Sequence, residues 1–249
     1  MRVPVAITLT LAVLLGPLES DAKPAKHRPK RPRTTESEKW ADAPSAKYGA
    51  LDKQACLTEL KRRKIGFRSV KEARGVLAPV RLTTAVGGVR FRTEAPEAER
   101  AKSPHEIMDC RLVLSLSDFA GILKKHQVEE AILFSAWRPP PKSWPADKPA
   151  TRHPGGLAID LRRLVLSPSE EGKKRDIIVE RDWTPRRDTP PCKGSPSPDT
   201  AEAKTLRAIF CEADEKRLFT VMLSPNYDKA HENHLHLEVT PNVKWRLVL

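Results

Sequence analysis

Apolar residues along this chain fall into short runs of helical or alternating period, separated by stretches rich in proline and charge. Cys56, Leu57, Leu60 and Ile65 share one stripe at helical spacing, which predicts a helix to about Lys64 that Gly66 ends. Val80–Val86 and Val89–Thr93 alternate on either side of Gly87-Gly88, the signal of a two-residue β-hairpin. Leu112–Leu116 reads as a strand, followed by Ser117 as the N-cap of a helix over 118–126 that turns Phe119, Ile122 and Leu123 inward. Ala131–Phe134 reads as a buried strand. Its end, Ser135-Ala-Trp-Arg138, runs into Pro139, Pro140 and Pro141, which cannot donate to a ladder, so Arg138 stands at a strand terminus.

A loop over 142–152 then delivers His153, and Gly155-Gly156 turns the chain into a strand from Leu157 to Leu161 that continues through Val165. Alternation sends Leu157, Ile159 and Leu161 to a core and Ala158 with Asp160 to the other face. Ile177–Val179 returns toward Trp183, and the proline-rich residues 186–200 form an exposed insertion. Ala201–Arg217 is the clearest helix, with Leu206, Ile209, Phe210 and Ala213 on one side, and Phe219–Leu223 is a further strand. The last strand is His231–Glu238. There His234, His236 and Glu238 project together, while Leu235, Leu237 and Val239 face the core. The expected fold is therefore α+β, a small antiparallel sheet flanked by helices, occupying residues 51–249.

The first 50 residues have a different character. Arg2 followed by the apolar run Val5–Leu15 and the small residues around Ser20-Asp21-Ala22 describe an export signal over 1–22, too short to span a bilayer, and no later run suggests a transmembrane segment. Residues 23–50 are basic and proline-rich, which predicts a disordered linker. An exported chain with four cysteines, Cys56, Cys110, Cys192 and Cys211, favours disulfides over thiols. Of the three connectivities, Cys56 with Cys110 and Cys192 with Cys211 close the shortest loops, and the sequence leaves the choice open. A cysteine-zinc cluster lacks the close Cys-x-x-Cys spacing it would need.

The net charge of +13 first points to nucleic acid, but an exported chain rarely meets it. An anionic wall or surface polymer met by the basic tail is the better electrostatic partner, beside the plainer reading that the charge maintains solubility. The chain is expected to act as a monomer.

The chemistry concentrates in few residues. His153, the pair His234-x-His236 and Asp160 supply imidazoles and a carboxylate, and two imidazoles with one carboxylate make a metal site that leaves zinc a position for water. Non-heme iron uses the same donor types, usually with the first His and the carboxylate closer in sequence, so zinc is preferred. His27, His105 and His126 are read as ordinary surface or hydrogen-bonded histidines.

The order Ser135-Ala-Trp-Arg138, then His153-Pro-Gly-Gly-Leu-Ala-Ile-Asp160, then Leu223-Ser-Pro-Asn-Tyr-Asp-x-x-His231-x-x-His234-x-His236 resembles the extensin-like C-terminal domain family. That family lies within the superfamily of lysostaphin, D-alanyl-D-alanine metallopeptidases and sonic hedgehog, and the resemblance covers roughly Cys56–Pro241. It implies that His153, Asp160 and His236 hold zinc, that His234 serves proton transfer or transition-state stabilisation, and that Arg138 steadies a substrate carbonyl or carboxylate. His231 matches a third histidine of the peptidoglycan endopeptidase branch. Carboxypeptidase branches place a Glu base where this chain has Asn233, so base work would fall to His234 or His231, with Glu232 a minor candidate. The implied activity is zinc-dependent hydrolysis of a peptide bond in peptidoglycan or its stem peptides, of DD-endopeptidase or carboxypeptidase type. The rival expectations are a non-catalytic wall-binding protein with a structural or vestigial metal site, and a secreted polyanion-binding module.

Overall fold

A computed structural model describes residues 40–249 apart from 169–171, 173, 174 and 188. The export signal read at 1–22 and residues 23–39 of the linker read at 23–50 lie outside the described residues. Residues 40–50, expected to extend that linker, are instead packed. Pro44 opens a short helix, Pro44–Gly49, Trp40 and Ala43 are buried, and the Trp40 indole donates to the Val243 carbonyl at 3.1 Å. Proline at a first helical turn costs no hydrogen bond, which is why composition alone misjudged this segment.

Strand β6 (Ala158–Leu166) is the hub of the larger sheet. One edge pairs with β5 (Val128–Ser135); the other pairs with β9 (Leu235–Glu238) over its first half and with β7 (Arg175–Ile178) over its second. The remaining strands are β3 (Arg90–Thr93) beside β5, β8 (Val221–Leu223) beside β9, and β10 (Leu247–Val248) beside β8, giving seven strands. β3 runs parallel to β5 and β10 parallel to β8. The sheet is thus mixed and larger than the small antiparallel one expected, because its outer strands are too short, or too far from their partners in sequence, to announce their pairing. A second sheet joins β1 (Phe67–Ser69), β2 (Pro79–Leu82) and β4 (Met108–Asp109).

The expected hairpin around Gly87-Gly88 is only partly present. Both glycines have positive φ, +58° and +81°, as a type I′ turn requires, and Val86 and Val89 exchange backbone bonds of 2.8 and 2.9 Å. There the pairing stops. β2 goes to one sheet and β3 to the other, so the alternation correctly reported one buried face per arm but not which strand lies alongside.

The strand-then-helix reading of 112–126 is likewise replaced, by one helix, Cys110–Lys125. Asp109 caps it by accepting from the Arg111 N–H at 3.0 Å, and Leu112, Val113, Leu114 and Leu116 are all fully buried. A helix buried on every side produces the same continuous apolar run as a central strand. This helix and Ala201–Glu215 cover the sheet face that carries Ile159, Leu161 and Leu237, and Phe119 meets Phe219 edge-on at 5.6 Å. Among the described residues no helix is long and apolar enough to cross a membrane.

Two disulfides, Cys56–Cys110 and Cys192–Cys211, have Cα separations of 6.0 and 5.6 Å. The first joins helix Lys53–Arg62 to the start of Cys110–Lys125, and the second ties the proline-rich 186–200 segment to helix Ala201–Glu215. The enclosed spans are 54 and 19 residues. Loop-closure entropy then assigns about 4 kcal/mol of stability to the first and about 3 kcal/mol to the second. Urea melts of the two double-alanine variants should show the larger loss at Cys56/Cys110; the reverse order would refute the entropic account.

Candidate metal centre

Register places the site. Asp160 in β6 lies opposite His236 in β9 and opposite Ser135 at the end of β5, so three neighbouring strands present side chains at one level. His153 arrives from the loop before β6, in the short 3-10 turn His153–Gly155. Two features make that approach possible. Arg152 adopts φ +55°, ψ −146°, a conformation that costs of order 1–3 kcal/mol. A Cβ on Gly155 would come within 2.3 Å of the Ala150 carbonyl oxygen, so only glycine fits there.

The ring nitrogens are oriented by partners that fix their protons. His153 Nδ1 donates to the Ala136 carbonyl at 2.6 Å, leaving the Nε2 lone pair directed at Asp160. His236 Nε2 donates to Glu238 Oε2 at 3.2 Å, leaving Nδ1 directed at the same carboxylate. Nε2 of His153, Nδ1 of His236 and Oδ1 of Asp160 then stand 3.0, 3.1 and 3.3 Å apart. Bonds of about 2.0 Å in tetrahedral geometry separate their ligand atoms by about 3.3 Å. Three buried acceptors this close repel one another unless a proton or a cation sits among them. The donor types, their spacing and this conflict all fit a divalent metal of zinc's size.

Electrostatics express the same conflict. Burial pushes the Asp160 carboxyl up, but His153, His234 and His236, where a ring nitrogen facing it carries a proton, outweigh burial and hold the group far below the usual carboxylate range. Burial pushes the His236 imidazole down, and Asp160 and Glu238 outweigh that, so its pKa is raised. Without a cation, His236 is the natural seat of the extra proton; metal binding would displace it.

The remaining candidates surround this cluster. His234 Nε2 is 3.4 Å from Asp160 Oδ1, and its Nδ1 donates to Asn233 Oδ1 at 2.8 Å. His231 lies in a 3-10 turn, Lys229–His231, rather than in the strand expected to begin with it. Its Nδ1 donates to Asp228 Oδ1 at 2.6 Å, and its ring centre is 5.1 Å from that of His234. Burial lowers the His231 pKa, and Asp228 only partly opposes this. Arg138 Nη2 is 3.2 Å from Asp160 Oδ2 while its side chain is 54% exposed, so the guanidinium bridges the cluster and open solvent. Glu232 pairs with Arg187 instead.

Sequence reasoning missed three contributors. Ser135 Oγ lies 3.4 Å from Asp160 Oδ2, the Ala136 carbonyl fixes the His153 tautomer, and Asp228 holds His231. Glu238, already placed by alternation on the same strand face as His236, is 2% exposed and accepts from its Nε2. Its position two residues after His236 on the same strand face was the available signal. Phe134 and Tyr227 were also unremarked; both are 40% exposed, and they meet His234 and His231 at 5.9 and 5.2 Å between ring centres.

Glu238→Gln retains the volume and removes the charge behind His236. Zinc affinity, measured by competition with a chelator, should fall about tenfold or more at neutral pH. The weakening of zinc binding on acidification should also begin at lower pH than in the parent protein, because His236 loses one of the carboxylates that raise its pKa. An unchanged affinity and pH onset would show that Glu238 does not act through the ligand.

No curated protein and no solved structure matches the chain. Residues 142–248, which include His153, Asp160, His231, His234 and His236 but not Arg138, match the family described as extensin-like protein C-terminus.

Proposed function

We propose that this chain is an exported, zinc-dependent peptidase that hydrolyses a peptide bond in bacterial peptidoglycan. The observation that carries the reading is the triangle of three lone-pair atoms, 3.0–3.3 Å on its edges, with an arginine and two further imidazoles beside it. The matched extensin-like segment, together with the superfamily that the motif order resembles, motivates the substrate class. The two disulfides fit an oxidising compartment and so support export.

His153, Asp160 and His236 would hold the metal. Bound there, zinc supplies Lewis acidity toward an amide carbonyl and lowers the pKa of water. The chain's own groups do the rest. His234, with its proton held on Nδ1 by Asn233, offers Nε2 to collect a proton and pass it to the leaving amine. His231 is the second proton carrier: Asp228 sets its tautomer, and its lowered pKa keeps it neutral at pH 7. Arg138 places positive charge where the carbonyl oxygen becomes negative. Phe134 and Tyr227 form apolar rims on which a peptide backbone can lie.

Asn233, standing where carboxypeptidase relatives place a Glu base, favours one second reading. In it the centre is retained without turnover, and the protein binds walls non-catalytically. Digestion of purified sacculi with zinc-loaded protein, followed by mass spectrometry of the products, separates the two. Cleaved stem peptides or crosslinks support hydrolysis; retention on sacculi with no release of amine groups supports binding alone.

Two substitutions sharpen the mechanism. His236→Ala should abolish both zinc binding and muropeptide hydrolysis, and retained turnover would contradict the site. Arg138→Ala should keep zinc while lowering kcat about 100- to 1,000-fold, the usual effect of deleting one donor to a developing oxyanion. A change confined to KM would assign Arg138 to ground-state binding.

A further inference from the structure

A separate cavity of about 520 Å³ lies where β1 and β2 meet the 83–90 turn and the short helix Glu97–Arg100. Its volume suits a small ligand, and none of the metal-centre residues lines it. Every basic residue in its wall is an arginine: Arg68, Arg81, Arg90 and Arg100, against Glu97 and Glu106.

Arg81 is the unusual member. It is only 9% exposed, and its guanidinium donates to two main-chain carbonyls, that of Arg100 at 3.2 Å and that of Ser103. Among the described residues no carboxylate pairs with it. Its cross-strand partner in the β1–β2 register is Arg68, a like charge placed directly opposite. Burial and Arg68 together push the Arg81 pKa down. Nearby, Arg100 Nε is buried without any hydrogen-bond partner. Glu106 opposes this by its charge, but that charge is shared: its Oε1 accepts from the Thr93 N–H and hydroxyl at 2.6 and 2.8 Å and lies 3.6 Å from Arg100.

A buried cation faced by another cation, beside an unfilled charged donor, has one shared carboxylate as counter-charge, and the four arginines of the wall outnumber its two glutamates. Guanidinium groups present forked donors that match tetrahedral oxyanions, and the absence of lysine from this wall favours such a planar, multidentate fit. We propose that this pocket binds a phosphate-class oxyanion, held by Arg68, Arg81, Arg90 and Arg100. The group would arrive either as the free ion or as the monoester of a small organic molecule. This site is independent of the metal centre and of the peptidase reading.

Isothermal titration of the full chain with inorganic phosphate and, separately, with glycerol 3-phosphate tests the assignment. Saturable binding at one site per chain by either probe supports it, and comparison of the two identifies which source the pocket prefers. Arg68→Ala, at an exposed position that should not disturb folding, and Arg81→Lys, which keeps the charge but loses the fork, should each weaken the better probe at least tenfold. An unchanged far-ultraviolet circular dichroism spectrum and thermal unfolding midpoint in both variants would show that they remain folded. His236→Ala should leave phosphate affinity unchanged. Absence of saturable binding by both probes would overturn the proposal. So would binding that survives Arg68→Ala and Arg81→Lys together, or that disappears in His236→Ala and therefore belongs to the metal centre.

Discussion

A carboxylate removed from water imposes the central constraint on this molecule. Asp160 sits on the central strand of the larger sheet, nearly inaccessible, and remains ionised only because three imidazoles and one guanidinium converge on it. Each comes from a different part of the chain: the end of β5, the loop before β6, the residue preceding β9, and β9 itself. The β6–β5 and β6–β9 registers are therefore part of the chemistry. A slip of one residue in either pairing would turn its members to the opposite face and leave a buried charge uncompensated.

The same logic extends one layer outward. His153 depends on the Ala136 carbonyl, and the Ala136 N–H in turn donates to the His105 carbonyl at 2.7 Å, which anchors the end of β5. His236 depends on Glu238, and Glu238 accepts from the Thr240 hydroxyl at 2.6 Å, while the Thr220 hydroxyl donates to the Glu238 carbonyl at 2.9 Å. The polar face of β9 is a chain of satisfied donors and acceptors leading from the site back into the scaffold. Its opposite face, Leu235 and Leu237, is closed by the helical layer.

Much of this was legible in the residue order, for identifiable reasons. Period-two alternation in Leu157–Leu161 and His234–Val239 assigned Asp160, His234, His236 and Glu238 to one face, and a half-buried strand has few ways to violate that rule. The long helix Ala201–Glu215 was equally plain from its single apolar stripe. What could not be read were long-range choices. The arms beside Gly87-Gly88 alternate correctly yet join different sheets, and Leu112–Leu116 is apolar all round because tertiary packing surrounds a helix there. The partners that set ring tautomers were hidden too. Two of them, the Ala136 carbonyl and Asp228, lie in turns or strand ends whose position follows only from the assembled sheet.

The spacing of the ligand atoms has a further consequence. His153 is delivered by a turn whose backbone admits few alternatives, and Asp160 with His236 is locked by strand pairing, so the triangle exists before any ion enters. Two of the three ligand atoms are imidazole nitrogens, so for the proposed metal centre donor type rather than the size of the frame would select the ion. Calcium, which seeks six or more oxygen ligands, is poorly served by two imidazoles and one carboxylate, whereas imidazole suits zinc and its transition-metal neighbours. On the proposed function, such a protein would work amid abundant alkaline-earth ions and still keep its centre for a scarce metal that nitrogen donors favour.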